Sequence, residues 1–371
     1  MKIAIMGFGT VGSGAYEISK AVSDIELVRI LARHGRKGYE ELEGIITPNI
    51  TDITQDPEIE LVIESIGGIE PAREYVLACL NAGKHVVTPN KNLISAYGKE
   101  LTAAAAKNNV QLRYTATAGG GIPWLFNLLR TKRCDEILEI KGIVNGTCNY
   151  ILDAMFDKGA SFDEMLKIAQ ELGYAEADPS SDIEGTDTLR KTVISSNLAF
   201  DSAVAEEDVP CFGINTIDAC DIEWMKANGY SCKLLMTARR TEKGITACVE
   251  PTLVKADSLE AGVKTNNNLI SLTGKSIGTQ SFFGQGAGAL PTGESVIQDV
   301  IDIIKDNGQG VTSAGESTLK FAEDEGLHRY YIRQDGACGI SEPMTVAEMH
   351  KLGKQRKEEG RPIFFARLPE E

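Results

Sequence analysis

The sequence has few of the residues that build metal centres and disulfide frameworks. Only four histidines occur in 371 residues, and they lie far apart along the chain. The eight cysteines form no CxxC pair and show no spacing typical of a zinc site. These absences argue against catalytic zinc and favour reduced thiols in the core of a cytoplasmic protein.

Long apolar runs and an excess of basic residues are missing as well. No window approaches the roughly 20 apolar residues that span a bilayer, and the N-terminus turns glycine-rich after a few residues, unlike a signal peptide. The net charge of −15, from 53 acidic against 38 basic residues, opposes binding to nucleic acid or an anionic membrane. Small molecules are therefore the expected partners.

Short apolar segments alternate with helical patterns over the first 130 residues. The first of them, "KIAIM" at 2–6, is followed by a glycine turn and an apolar-periodic stretch. Further strands are predicted at 25–32, 60–65, 84–90 and 110–118, with a helix near 98–108. Strands that alternate with helices predict an α/β fold with a doubly wound parallel sheet.

The pattern changes after residue 130. An alternating strand, a group of helices and several antiparallel strands predict a second domain of α+β type at 131–290. A helix at 293–306 is expected to pack back onto the first domain within 290–325. Residues 326–371 are interpreted as a peripheral C-terminal extension with a basic, mostly polar helix. The predicted architecture is a domain at 1–130, a second domain and an extension.

A glycine motif lies directly after the first predicted strand. Gly7, Gly9 and Gly12 satisfy G-x-G-x-x-G between this strand and a helix. Such glycines permit a tight turn, a close approach of backbone to pyrophosphate, and close packing of helix on strand. The motif predicts a Rossmann domain that binds a dinucleotide at a helix N-terminus; the alternative is a purely structural turn.

The end of the second predicted strand indicates which dinucleotide is used. The segment "LARHGRK" contains Arg33, Arg36 and Lys37 and no acid. An acid at this place binds the ribose 2′-hydroxyl of NAD, whereas an arginine accommodates the 2′-phosphate of NADP. The segment favours NADP, with NAD as the alternative because arginines beside surface turns are common.

Carboxylates are concentrated in "GYAEADPSSDIEGTDTLRKT" at 173–192. Asp187 and Lys191 lie four residues apart and would share one face of a helix. Lys91 follows the fourth predicted strand, at the sheet edge where open α/β sheets bind ligands. Spacing alone leaves two interpretations open: a surface ion pair and a solvated loop lysine, or a site that grips a cation and moves a proton.

The order of the longer motifs distinguishes these interpretations. The chain contains "ESIGG", "TPNKNLIS", "GGGIP", "GIVNGTCNYIL", "GYAEADPSSDIEGTDTLRK" and "GQGAGALPT" in that order. It resembles homoserine dehydrogenases in this respect, from residue 1 to about residue 330. The resemblance is most specific at "NGTCNYI" and in the acidic stretch.

The resemblance implies roles for individual residues. Lys191 matches the catalytic lysine that exchanges a proton with the substrate oxygen, and Glu176 and Asp187 match carboxylates that contact the amino acid substrate. Lys91 matches a lysine between cofactor and substrate. The remaining matches are Gly173 in the substrate motif, Phe8, Thr10 and Val11 in the glycine loop, and Gly286 in a second glycine-rich turn near the cofactor. Asp178, Asp182 and Glu184 are expected to be loop and capping residues.

The implied reaction is the NADP-dependent reduction of L-aspartate 4-semialdehyde to L-homoserine, or its reverse, in threonine and methionine biosynthesis. The second domain is then catalytic and pairs with another copy to form a homodimer. Two alternatives are a related NAD(P)-dependent dehydrogenase of another amino acid or semialdehyde, and a non-catalytic NADP-binding sensor.

Two departures from the family pattern are visible. Family members often carry a glutamate where this chain has Thr115, in a segment whose main-chain carbonyls bind a monovalent cation. The matching carbonyls, which could still hold sodium, belong to Thr115, Ala118, Gly120 and Ile122. Many relatives also append a regulatory ACT domain, whereas only about forty residues follow "HRYYIRQ" here. Feedback control by threonine is therefore not expected.

Overall fold

The computed structural model describes residues 1–33, 39–305 and 319–370. The strands are β1 (Lys2–Met6), β2 (Glu26–Leu31), β3 (Ile46–Thr47), β4 (Leu61–Glu64), β5 (His85–Val87), β6 (Leu112–Arg113), β7 (Ile137–Ile143), β8 (Tyr230–Thr241), β9 (Gly244–Lys255), β10 (Asn267–Gly274), β11 (Gly278–Gln285), β12 (Tyr330–Gln334), β13 (Ala337–Ile340) and β14 (Ile363–Arg367). The α-helices are α1 (Thr10–Ser19), α2 (Thr51–Thr54), α3 (Ala72–Asn81), α4 (Lys91–Lys107), α5 (Trp124–Lys132), α6 (Gly146–Lys158), α7 (Phe162–Glu171), α8 (Ser180–Ile183), α9 (Thr186–Phe200), α10 (Ala219–Ala227), α11 (Ala289–Ile304) and α12 (Val346–Glu358). Within these ranges, none of the helices is long and apolar enough to cross a membrane.

The chain forms two compact units. The first contains Met1–Leu129 and the segment that begins at Gln285, and the second contains Arg130–Gly284 and the described C-terminal residues. Each unit has its own sheet and its own apolar core.

The sheet of the first unit has the strand order β3-β2-β1-β4-β5-β6, and all of its strand pairs are parallel. The apolar residues of β1 and β4, such as Ile3, Ile5 and Ile63, are fully buried because helices cover the sheet. The strand order reverses beside β1, which is where ligands bind in doubly wound folds. The predicted α/β fold with a doubly wound parallel sheet is confirmed.

Two elements of the first unit differ from the sequence-based expectation. Helix α4 begins at Lys91 rather than near residue 98, because the Asn90 side chain caps it and accepts a hydrogen bond from the Leu93 amide at 3.2 Å. The strand expected at 110–118 is limited to β6, and a 3₁₀ turn follows it at Thr115–Thr117.

The sheet of the second unit has eight strands in the order β11-β10-β7-β8-β9-β14-β12-β13. Its centre is the long hairpin of β8 and β9, and helices α6, α9 and α10 contact these strands. Most residues of α9 are buried, and the polar residues Asp187, Lys191 and Ser195 are among them. These polar side chains therefore lie in the interior of the protein and not on its surface.

The C-terminal residues are an integral part of this second sheet. Strand β14 pairs with β12 and runs parallel to β9, and all five of its residues are buried. The interpretation of 326–371 as a peripheral extension is therefore wrong for its strands, because Tyr330, Phe364 and Phe365 are fully buried. The polar helix expected in this region is α12, which Thr345 caps by accepting a hydrogen bond from Glu348.

All eight cysteines are free thiols, but they are not all in the core. Four of them are buried, whereas Cys134, Cys220 and Cys338 are exposed. The expectation of core thiols is wrong for these three positions.

Candidate active site

A lysine and an aspartate form a buried ion pair on α9. The Lys191 ammonium lies 2.8 Å from the Asp187 carboxylate, and the two side chains are only 10% and 7% exposed. The same ammonium donates a hydrogen bond to the Val144 carbonyl at 2.6 Å. The structure thus excludes a solvated surface pair, which was one of the two interpretations of this spacing.

Asn145 links this pair to a second carboxylate. Its side-chain amide donates one hydrogen bond to Asp187 at 2.8 Å and another to Asp182 at 2.7 Å. Its carbonyl oxygen accepts a hydrogen bond from the Cys148 amide at 2.8 Å and so caps α6. Asparagine before a helix is an ordinary cap, so the sequence motif alone gave no reason to place Asn145 in the site.

Asp182 belongs to this group, although it was expected to be a loop or capping residue. Burial raises the pKa of the Asp182 carboxyl, the nearby Asp187 charge raises it further, and the hydrogen bond from Asn145 opposes both effects. Asp178, by contrast, has the expected local role, because its carboxylate accepts a hydrogen bond from the Ser180 amide at 3.1 Å.

The loop that carries Gly173 and Glu176 is exposed. It is attached to α6 by the Thr147 hydroxyl, which donates to the Tyr174 carbonyl at 2.6 Å. The Glu176 carbonyl accepts a hydrogen bond from the Gln170 side chain at 3.0 Å. These contacts bring the start of the loop to the α6 terminus that Asn145 caps, while Glu176 itself is in contact with solvent.

The group formed by Asn145, Asp182, Asp187 and Lys191 has a clear chemical capacity. It supplies one ammonium that can exchange a proton with an oxygen atom, and carboxylates that can bind a positively charged amine. Among the residues that the structure describes, no cluster of three or more acidic, histidine or cysteine side chains is arranged to hold a metal ion.

Two of the three glycines in the motif of the first unit lie too close to other backbone atoms to carry a side chain. A side chain at Gly7, whose φ is +84°, would place its Cβ 2.7 Å from the backbone of Ser65 and Ile66, and one at Gly12 would overlap the Gly7 carbonyl. A Cβ at Gly9 would meet nothing within 4 Å. Gly7 and Gly12 are therefore required by packing, whereas Gly9 leaves open space at the N-terminus of α1, where a pyrophosphate can bind backbone amides.

The residues beside these glycines differ in burial: the Phe8 side chain lies in the core, whereas Thr10 is exposed. The Phe8 ring is buried and packs edge-on against Tyr39, with centroids 5.0 Å apart. Thr10 and Val11 begin α1, whose first turn contains no acid that would repel a phosphate. Arg33, just beyond β2, is exposed, whereas Arg36 and Lys37 lie outside the described residues.

Lys91 is the first residue of α4, at the carboxyl end of β5. This is the same edge of the parallel sheet as the glycine motif after β1. Lys91 belongs to the first unit, whereas Lys191 belongs to the second.

The second glycine-rich turn lies against the segment expected to bind a cation. A Cβ at Gly120 would overlap the Gly286 carbonyl, so the two turns are in close contact. The Gly120 carbonyl accepts a hydrogen bond from the Ser295 hydroxyl at 2.6 Å, and the Ile122 carbonyl accepts one from the Trp124 amide at 2.7 Å. Each carbonyl oxygen keeps a second acceptor position.

Family models cover most of the chain. The model described as "Homoserine dehydrogenase, NAD binding domain" matches residues 7–115, and the model described as "Homoserine dehydrogenase" matches residues 123–301. The chain belongs to the homoserine dehydrogenase family. It is therefore a nicotinamide-dependent oxidoreductase, as the sequence motifs predicted.

Individual homoserine dehydrogenases agree with this assignment. The Bacillus subtilis enzyme is 38% identical over 323 residues, which cover 84% of this chain and 75% of that protein. The crystal structure of a homoserine dehydrogenase from Thiobacillus denitrificans has a TM-score of 0.88 at 31% identity and covers 100% of this chain and 98% of that one. A hyperthermophilic archaeal homoserine dehydrogenase in complex with NADPH shares the fold, with a TM-score of 0.71 at 23% identity over 83% of this chain and 99% of that one.

Proposed function

We propose that the protein interconverts L-aspartate 4-semialdehyde and L-homoserine with NADP as the hydride carrier. The observation that carries the proposal is the buried Lys191–Asp187 pair, which Asn145 joins to Asp182. Reduction of an aldehyde adds a hydride to carbon and a proton to oxygen. When bound, the nicotinamide supplies or accepts the hydride, and the protein must bind the substrate and move the proton.

Lys191 is the proton donor to the substrate oxygen in the direction of reduction and the acceptor in the reverse direction. Its ammonium also stabilises the negative charge that develops on that oxygen. Asp187 orients Lys191 through their 2.8 Å contact. Glu176 and Asp187 bind the substrate ammonium, and Gly173, whose φ is +75°, permits the turn that leads to Glu176. Lys91, at the nucleotide edge of the first unit, contacts the cofactor.

Replacement of Lys191 by alanine tests this role. We expect kcat for homoserine oxidation to fall about 100- to 10,000-fold, while the affinity for the cofactor changes little. Lys132→Ala is a matched control, because Lys132 forms another lysine–aspartate pair, with Asp201 at 2.5 Å, and should retain turnover. Unchanged kcat in Lys191→Ala would contradict the proton-transfer role, and better turnover of another hydroxy amino acid by the wild type would contradict the substrate.

The preference for NADP rests on Arg33 and on the neighbouring basic residues of the sequence. Arg33 is exposed just beyond β2, at the place where an arginine binds the 2′-phosphate in related folds. We expect Arg33→Ala to raise KM for NADP about tenfold and to leave KM for NAD unchanged. An equal effect on both cofactors would show that Arg33 does not select between them.

The main-chain carbonyls of Thr115, Ala118, Gly120 and Ile122 are proposed to bind a monovalent cation. Support comes from their position on the 3₁₀ turn and the loop after it, and from the free acceptor positions of the Gly120 and Ile122 carbonyls. Sodium should raise the melting temperature relative to tetramethylammonium at equal ionic strength. Equal melting temperatures in the two salts would argue against the site.

The second unit is proposed to form a homodimer. Its edge strand β11 is largely exposed and carries Phe283, which is 61% exposed. Light scattering is expected to give twice the monomer mass, and Phe283→Glu to shift the protein towards the monomer. We also propose a cytoplasmic location, which the eight free thiols support.

A further inference from the structure

Glu64 is a buried acid that the proposed mechanism does not use. It is the last residue of β4 and is 0% exposed. The hydrogen bonds that the structure describes for its carboxylate all come from neutral donors, and no lysine or arginine is among the groups that shift its pKa. A buried carboxylate without a cationic partner is costly, and such groups are concentrated at functional sites.

The hydrogen bonds of Glu64 come from groups that donate to its carboxylate oxygens. One carboxylate oxygen accepts hydrogen bonds from the backbone amides of Ile66 at 2.7 Å and Gly67 at 3.3 Å, and the other accepts one from the Thr88 hydroxyl at 2.6 Å. An ionised carboxylate offers acceptors only, which matches this set of donors. Burial raises the pKa of the Glu64 carboxyl, and the hydrogen bonds from Thr88 and the backbone oppose that rise.

These contacts join two segments of the nucleotide edge. In the loop after β4, the Ser65 hydroxyl donates to the Gly7 carbonyl at 2.8 Å, so this loop lies on the glycine motif. In the segment after β5, the Thr88 hydroxyl accepts a hydrogen bond from the Asn90 amide at 3.0 Å. Asn90 caps α4, whose first residue is Lys91, and donates to the Gly68 carbonyl at 2.7 Å.

The topology places Glu64, at the end of β4, on the side of β1 opposite to β2. In doubly wound folds the adenosine ribose lies at the end of the strand corresponding to β2, and the pyrophosphate at the helix after β1. Strands β4 and β5 are on the other side of β1. The nicotinamide half therefore extends towards β4, where a negative charge favours the cationic oxidised ring over the neutral reduced ring.

We propose that Glu64 is a positioning residue of the nucleotide site. It holds the loop after β4 and the N-terminus of α4 in one arrangement. Its negative charge makes the site bind oxidised cofactor more tightly than reduced cofactor. This inference rests on the proposed use of a nicotinamide cofactor.

The test is direct binding of NADP⁺ and NADPH to the full-length protein by titration calorimetry. Glu64→Gln keeps the shape but removes the charge, and should raise Kd for NADP⁺ about tenfold and Kd for NADPH no more than about threefold. Thr88→Val removes one donor but keeps the charge, and should weaken both cofactors alike, by about threefold.

Lys84→Met is a matched control for loss of a buried charged group. Lys84 is 3% exposed and donates to the Asp56 and Ile59 carbonyls at 2.7 Å, at the opposite edge of the same sheet. It should lower the melting temperature without changing either Kd.

An equal loss of affinity for the two redox states in Glu64→Gln, or no loss, would overturn the proposal. If that variant does not fold, unchanged affinities in Thr88→Val would overturn it instead. A wild-type protein that binds neither cofactor would contradict the proposed function itself, whereas normal wild-type binding leaves only the role of Glu64 in question.

Discussion

Replacement of Asn145 by alanine should separate a structural cap from a part of the catalytic site. The side chain makes three hydrogen bonds, to the Cys148 amide, to Asp182 and to Asp187, all of 2.7–2.8 Å. The first is a helix cap and the other two involve carboxylates. Alanine removes all three.

The expected loss of stability follows from the burial of these partners. The cap contributes about 1 kcal/mol, and the hydrogen bond to the buried Asp187 carboxylate about 2 kcal/mol. Asp182 is half-buried, so water replaces part of its lost bond. The free energy of unfolding should therefore fall by about 3 kcal/mol.

The expected loss of activity follows from the contact between Asp187 and Lys191. Without the amide, the Asp187 carboxylate loses a fixed partner and the lysine that it orients loses its position. A displacement of about 1 Å in a catalytic group can cost about 100-fold in rate. We expect kcat/KM for homoserine to fall by about this factor, measured from the absorbance of the reduced nicotinamide.

Ser161→Ala is the matched control, because Ser161 caps α7 by accepting a hydrogen bond from the Glu164 amide at 3.3 Å and contacts no catalytic residue in the described structure. It should lose up to about 1 kcal/mol of stability and no activity. The reasoning would be refuted if Asn145→Ala behaved like Ser161→Ala in both measurements.

Three further predictions concern stability and cofactor binding. Burial raises the pKa of Asp299 from 3.8 to about 7, so the folded state holds the proton more tightly than the unfolded state, and the free energy of unfolding should fall as the pH rises from about 4 to about 7. Asp299→Asn should remove this pH dependence in urea denaturation measured across that range. A pH dependence that persists in the variant would belong to other groups. Arg367→Met leaves the buried Glu250 without its 2.7 Å partner and should lower the free energy of unfolding by about 3 kcal/mol; a loss below about 1 kcal/mol would mean that Glu250 is adequately paired without it. Gly12→Ala should lower the melting temperature because its Cβ would overlap backbone atoms, whereas Gly9→Ala should keep the melting temperature and weaken cofactor binding. Thermal unfolding and cofactor titration measure the two effects. The reverse pattern, with Gly9→Ala less stable and Gly12→Ala weaker only in cofactor binding, would contradict the assignment of the open space to the pyrophosphate.

Much of the first unit could be predicted from local sequence. The strand, glycine turn and helix at its start are specified by residues within one short window, because apolar runs and left-handed glycines act on the backbone nearby. The pairing of Asp187 with Lys191 was also predictable, since a spacing of four residues is a property of one helix. Longer motifs with fixed spacing then indicated the family.

The burial of that pair was not predictable from spacing. It depends on the packing of other elements, such as β8 and β9, against α9, and these elements come from distant parts of the chain. Similarly, the apolar residues of β14 were visible in the sequence, but only the sheet shows that they pair with β12 and β9.

The sequence by itself determined the nucleotide-binding turn, the alternation of strands and helices in the first unit and the membership of the family, because each depends on local backbone preferences or on long motifs. Only the tertiary structure brought Asn145 to Asp187, which is 42 residues away along the chain, and placed Glu64 between two loops. Hydrogen bonds between distant segments depend on how the elements pack, and no local pattern in an isolated sequence encodes that geometry.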